Sequence, residues 1–150
     1  MTKSIVIAID VWPDIYPKFI DRMVNRINSM DNIEAVLFAT YSRNGSVESR
    51  LDDQGYHPTI RQRLNKFSDE LIPYTYKAGR YRSNYWKQGQ VTRDIVFDIL
   101  RIEKKYDFDS IIMMGGQWDR CVHHRSYGIR NLKLVLPHKK IIVYPDCMKY

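Results

Sequence analysis

Apolar residues in this chain form short continuous runs, separated by turn residues and by amphipathic stretches. Three runs, Ser4–Asp10, Ile33–Thr40 and Ser110–Gly115, have the length of β-strands. Continuous apolar strands are typical of parallel sheets that are covered on both faces. A less apolar run at Ile72–Lys77 and a final one at Lys140–Tyr144 bring the predicted number of strands to five.

Amphipathic stretches between these runs predict helices. Apolar side chains recur at helical spacing from Phe19 to Met30 and from about Gln90 to Tyr106, where Ile99 and Leu100 are expected to face inward. A further helix is expected to contain Cys121, and Gly128 is its predicted end.

The alternation of strands and helices predicts an α/β fold. We expect one domain over residues 1–150, built as a Rossmann-like three-layer sandwich around a mainly parallel five-stranded sheet. A strand order of 3-2-1-4-5 would be Rossmann-like, and such sheets bind ligands outside the carboxyl ends of their strands.

Composition narrows the class of protein. The chain of 150 residues has 24 basic and 17 acidic side chains, a net charge of +7 that favours an anionic small-molecule substrate or weak attraction to nucleic acid. No apolar run approaches the ~20 residues of a membrane span, and the first residues show no signal-peptide pattern, so a cytoplasmic location is expected. Two cysteines are too few for a disulfide framework and are expected to be thiols.

The stretch from Ile111 to Cys121 carries the strongest chemical signal. An apolar strand runs into the pair Gly115 and Gly116, which allow a tight turn, and Asp119 is placed to cap a helix. Cys121 would then lie in the first helical turn, where unpaired N–H groups and the helix dipole stabilise a thiolate. This position suits a nucleophile.

Three complementary side chains are predicted at one edge of the sheet. Asp10 ends the first strand, Lys77 ends the third, and Cys121 follows the fourth. Asp10 would take the thiol proton, and Lys77 would stabilise the thiolate and the developing oxyanion. The N–H groups of Gln117 and Cys121 are candidates for an oxyanion hole.

The pattern Gly-x-x-x-Asp-x-Cys-Val, from Gly115 to Val122, resembles the nucleophile segment of the isochorismatase-like cysteine hydrolases, which include nicotinamidases. The resemblance implies a catalytic triad of Asp10, Lys77 and Cys121 that hydrolyses a small amide or ester through a thioester. It also implies a homo-oligomer, because small hydrolases of this kind commonly associate.

Other residues complete the predicted site. The candidate substrate-binding side chains are Trp12, Arg80, Trp118 and Arg120. No cofactor is expected and no metal, because Asp53 and His57 share a loop without the Asp-x-His spacing of the zinc site found in related nicotinamidases.

One alternative function stays open. A catalytically inactive relative could bind a nucleotide or nucleic acid, with Tyr81, Tyr85 and Trp86 stacking on bases, although nucleic acid is the less expected partner.

Overall fold

The computed structural model describes residues 2–9, 17–40, 63–64, 69–73, 93–115, 121–124 and 127–148. Within these ranges strands and helices alternate along most of the chain. The strands are β1 (Ser4–Ile9), β2 (Ile33–Thr40), β3 (Asp69–Pro73), β4 (Ser110–Gly115) and β5 (Lys140–Val143). The helices are α1 (Pro17–Ser29), α2 (Arg93–Lys105), α3 (Cys121–His124) and α4 (Ile129–Val135), followed by a 3₁₀ turn at Pro145–Cys147.

All the strands pair in parallel, in the order β3-β2-β1-β4-β5. The prediction of an α/β protein with a parallel sheet is therefore confirmed. Every residue of β1 and β4 is buried, as continuous apolar strands predict. The two strands lie side by side in the middle of the sheet, although about one hundred residues separate them in sequence.

The predicted bounds of β3, Ile72–Lys77, were wrong: the strand is Asp69–Pro73, so Lys77, which was predicted to end it, lies four residues further on and outside the described residues. The strand begins at Asp69 and not at Ile72, so Pro73 lies at its end and not near its start. β3 is an outer strand of the sheet, and outer strands accept charged residues and proline, which are rare in central strands. Because the first two residues of the strand, Asp69 and Glu70, are acidic, the pattern of apolar residues did not reveal where the strand begins.

Two separate apolar cores line β1, one on each face of the sheet. Ile5, Ile7 and Ile9 belong to a core that includes residues of α2 and α4. Val6 and Ala8 belong to a second core, which contains the inward residues of α1. These α1 residues follow the helical repeat: Ile20, Met23, Val24 and Ile27. Because side chains alternate along a strand, β1 contributes to both cores.

Local contacts end α1 and lead the chain into β2. Ser29 Oγ donates to the carbonyl of Arg26 over 2.8 Å, which satisfies one of the free carbonyls of the last turn. Asn32 has a φ of 62°, a left-handed conformation that asparagine adopts more readily than most residues. Its carbonyl accepts a hydrogen bond from Ser4 N over 2.9 Å, so the turn is tied to the start of β1.

Two predictions about the later helices were wrong. Gly128 does not end the Cys121 helix but is the N-cap of a separate helix, α4. Glycine serves at either end of a helix, so its position alone did not decide between these roles. Leu100 does not face inward, because its side chain is 38% exposed, whereas its neighbour Ile99 is fully buried. The apolar residues of α2 thus cover a wider arc than the arc that packs on the sheet.

Among the helices within the described ranges, none combines the length and the apolar character needed to cross a membrane.

Candidate functional site

The candidate site follows the carboxyl ends of β1 and β4. The two strands pair in register along their whole length, and Ile9 is aligned with Gly115 at the last step. Asp10 comes next after β1 in sequence, and Gly116 comes next after β4. The paired ends therefore fix two neighbouring points from which the predicted catalytic segments depart.

The same two strands mark the place where the helices change sides. α1, which follows β1, packs in the core on one face, whereas α2, which precedes β4, packs in the core on the other face. In open parallel sheets the crevice at such a switch point is the usual ligand site. This general rule identifies the carboxyl ends of β1 and β4 as a candidate ligand site, independently of any catalytic residue.

Gly115 gives the end of β4 its special geometry. Its φ is 81°, in the left-handed region, and it is buried. A residue with a side chain would be unfavourable here for two reasons: a Cβ atom disfavours the left-handed φ, and the position is closely packed. Gly115 thus has a backbone conformation that glycine adopts readily, and the predicted turn at Gly115 and Gly116 continues beyond the described residues.

Gly115→Ala is expected to lower the free energy of unfolding by about 1–2 kcal/mol or more, because alanine disfavours the left-handed region. Chemical denaturation of the variant and of the parent protein would measure this difference. A variant as stable as the parent would show that the backbone at residue 115 does not need a positive φ.

Cys121 is the first residue of α3, a helix of four residues. The next residue, Val122, is fully buried in the core that includes Ile9 and holds the start of this helix against the sheet. So short a helix has a small dipole, and any activation of the Cys121 thiol would come from nearby N–H groups and charged side chains. The side chain of Cys121 lies outside what the structure describes.

The other predicted site residues also lie outside the described ranges. These are Asp10, Trp12, Lys77, Arg80, Gln117, Trp118 and Arg120. The described part of the chain brings together the strand ends beside Asp10 and Gly116, and the assignments of the seven side chains stay predictions.

Cys147, the second cysteine, has the surroundings of a structural residue. It is fully buried in the core with α1, and burial raises the pKa of its thiol to about 11. Its neighbour Asp146 forms an ion pair with Arg26 of α1, and a hydrogen bond from that guanidinium lowers the pKa of the Asp146 carboxyl. The Arg26 guanidinium also lies 4.9 Å from the centre of the Tyr144 ring. These two contacts connect the segment after β5 to α1.

The described ranges also bear on the expectation about metal ions. Within them no cluster of three or more histidine, cysteine, aspartate or glutamate side chains could hold a metal ion. Asp53 and His57 lie outside the described residues.

Sequence reasoning missed one surface feature, an exposed apolar face on α2 and α4. Phe97 is 57% exposed, Leu100 38% and Leu134 66%. The signal was present in the sequence, because α2 contains more apolar residues than one buried face requires.

Comparison with known proteins gives no relative for this chain: no protein-family model, no curated protein and no solved structure matches it.

Proposed function

We propose that this protein is a cysteine hydrolase that cleaves a small amide or ester through a thioester on Cys121. The observation that supports this most directly is the pairing of Ile9 with Gly115 at the switch point of the sheet. Because these strand ends are neighbours, Asp10 and the segment that leads to Cys121 begin from adjacent points, which supports an arrangement in which the two side chains exchange a proton.

In the proposed mechanism Asp10 takes the proton of the Cys121 thiol as the sulfur attacks the carbonyl carbon. The tetrahedral intermediate collapses, the bond to the leaving group breaks, and Asp10 gives its proton to that amine or alcohol. Water then attacks the thioester while Asp10 accepts its proton. The sulfur leaves, the acid product forms, and the thiol is restored.

Positive charge and N–H donors would stabilise this sequence of steps. Lys77 is the proposed cation beside the thiolate, and the N–H groups of Gln117 and Cys121 are the proposed oxyanion hole. Trp12, Arg80, Trp118 and Arg120 are the proposed substrate contacts. Two of them, Arg80 and Arg120, are basic, and these charges, like the net charge of +7, suit a substrate that carries negative charge.

We also propose the layer arrangement and the assembly of the protein. The chain would be a Rossmann-like three-layer sandwich related to the isochorismatase-like hydrolases, and it would act as a homo-oligomer. The two apolar cores on opposite faces of β1 support the layered arrangement.

Thiol alkylation tests the proposal before any substrate is known. The native protein is treated with iodoacetamide over a range of pH, and the peptides that carry Cys121 and Cys147 are quantified by mass spectrometry. The midpoint for Cys121 is expected below the ordinary cysteine pKa of about 8.5, because N–H donors and Lys77 favour the thiolate. Cys147, with its pKa of about 11, is an internal reference that should stay nearly unlabelled at neutral pH.

A matched pair of variants isolates the role of Lys77. Lys77→Ala should move the Cys121 curve to higher pH, whereas Lys87→Ala removes the same charge and should leave the curve in place. A Cys121 midpoint at or above that of an unfolded peptide contradicts a nucleophilic role. That result would favour the alternative of an inactive relative that binds a nucleotide or nucleic acid.

A further inference from the structure

The two outer strands of the sheet, β3 and β5, have different edges. β3 begins with Asp69 and Glu70 and ends at Pro73, and charged residues and proline keep an outer strand from pairing with another chain. β5 has one charged residue, Lys140 at its start, followed by the apolar β-branched run 141–143. This run is only partly buried, whereas every residue of the neighbouring β4 is buried. The edge of β5 thus offers an apolar strand for pairing.

The direction of the backbone groups of β5 follows from its pairing with β4. Lys140 N donates to the carbonyl of Asp109 over 3.2 Å, so the N–H of Lys140 faces β4. Backbone groups alternate in direction along a strand, so those of Ile142 face β4 as well. The N–H and C=O groups of Ile141 and Val143 therefore face away from the sheet. Among the strands that the structure describes, none pairs with this side of β5.

This outward row of backbone groups is bounded at both ends. The preceding N–H in the same alternation, that of Lys139, donates to the carbonyl of Leu136 over 3.1 Å. The following position is Pro145, which has no N–H. The donors and acceptors that a partner strand meets are therefore those of Ile141 and Val143.

A second copy of β5, running in the opposite direction, matches this row. Ile141 then opposes the partner's Val143, and the two residues exchange both of their backbone hydrogen bonds. Because the arrangement is symmetric about Ile142, the same pair forms twice, and every donor and acceptor of the two rows is used. A shift by two residues would place a carbonyl of the row opposite Lys139, whose N–H is already used, or opposite Pro145.

The side chains of β5 are complementary in the same register. Ile141 and Val143 pack against the core with α2 and α4, and Ile142 packs against the core with α1. In the paired strands Ile141 lies beside the partner's Val143 on one face, and Ile142 lies beside the partner's Ile142 on the other. Lys140 lies opposite the partner's Tyr144, so the pairing does not place like charges opposite each other.

We propose that two copies of this chain associate through β5, paired antiparallel about a two-fold axis at Ile142. The two sheets then form one continuous sheet, and the two-fold symmetry closes the assembly at a dimer. A second copy is favoured over an unrelated strand because the edge is complementary to itself in backbone groups, in apolar side chains and in charge. This surface would serve the homo-oligomer proposed above, and it requires no catalytic role for Cys121.

The first test measures the mass of the parent protein by sedimentation velocity from about 1 to 500 μM. The paired segment is short, so we expect a reversible dimer with a Kd of about 1–100 μM. Amide hydrogen exchange followed by NMR locates the contact without any substitution. Raising the concentration through this range should protect the N–H groups of Ile141 and Val143, whereas the N–H of Ile142, which faces β4, should be protected throughout.

The second test is disulfide cross-linking, which reports the register. In an antiparallel pair the two copies of residue 142 would have Cα atoms about 4.5 Å apart, within the range of a disulfide. Ile142→Cys should therefore form a covalent dimer under mild oxidation, with the linkage mapped to position 142 by mass spectrometry. Lys140→Cys is the matched control on the same face of the same strand. Its two copies would lie about 13 Å apart and should cross-link at least about tenfold more slowly.

Four results would each overturn the proposal. The first is a parent protein that stays monomeric up to about 500 μM, which would leave the edge of β5 to a strand of another protein. The second is a dimer in which Ile141 and Val143 gain no protection. The third is cross-linking at position 140 that equals or exceeds cross-linking at position 142. The fourth is a mass that grows beyond two chains, which would show open-ended association. None of these results bears on the alkylation of Cys121, so the two proposals can fail separately.

Discussion

Replacing Cys121 by alanine is expected to abolish hydrolysis, with a fall in kcat of at least about a thousandfold. The methyl group cannot attack a carbonyl, and no thioester can form. The assay follows p-nitrophenol release from p-nitrophenyl acetate, together with ammonia release from a panel of small amides. Intact-protein mass spectrometry should show one acetyl group on the parent protein, at Cys121, and none on the variant.

Cys147→Ala is the matched control, because it removes the same thiol from a residue that is buried in the core with α1. It should lower stability while leaving the rate per folded molecule within about threefold. Asp10→Asn should be nearly as damaging to turnover as Cys121→Ala, since an amide cannot accept the thiol proton. Acetylation that persists in the Cys121 variant, or that maps to Cys147, would remove Cys121 from the mechanism.

The second large effect concerns stability and compares two leucines of one helix. Leu132 of α4 is 1% exposed and packs in the core with β1, whereas Leu134 is 66% exposed. Leu132→Ala should lower the free energy of unfolding by about 2–5 kcal/mol, because it removes buried methyl groups and leaves a cavity. Leu134→Ala makes the same chemical change on the surface and should stay within about 0.5 kcal/mol.

Urea denaturation of both variants measures this difference directly. The change in helix propensity, a small gain because alanine is the better helix former, is about the same in both variants, so it cancels and the difference reports burial. Equal effects at the two positions would mean that α4 is rotated relative to the sheet, so that Leu132 is not the more buried of the two leucines.

The central strands were predictable from sequence because a strand that is buried on both faces is a continuous run of apolar residues. β2 and β4 have the predicted bounds, and β1 has the predicted start. β3 was misplaced because an outer strand needs fewer apolar residues, and Asp69 and Glu70 at its start resemble a loop. Leu100 was assigned inward because periodicity gives the width of an apolar face but not how much of it a neighbour covers.

Less of the candidate site could be predicted. The turn at Gly115 follows from its sequence, because a glycine after a buried strand is a strong signal for positive φ. The strand order also follows, and with it the closeness of the β1 and β4 ends. Asp10, Lys77 and Gln117 lie outside the described residues, and no repeating hydrophobic pattern in the sequence predicts where their side chains lie.

The pairing of β1 with β4 has a consequence for how the chain acquires its shape. The buried hydroxyls of Ser4 and Ser110 lie 2.6 Å apart, yet 106 positions separate them along the chain. β1, α1 and β2 can associate early, since they follow one another in sequence with few residues between them. The middle of the sheet cannot close until β4 has been synthesised, and closing it brings together two distant parts of the chain at an entropic cost that grows with their separation in sequence. Folding should accordingly be slow for a protein of this size, and β1 stays open along one side until the last third of the chain leaves the ribosome.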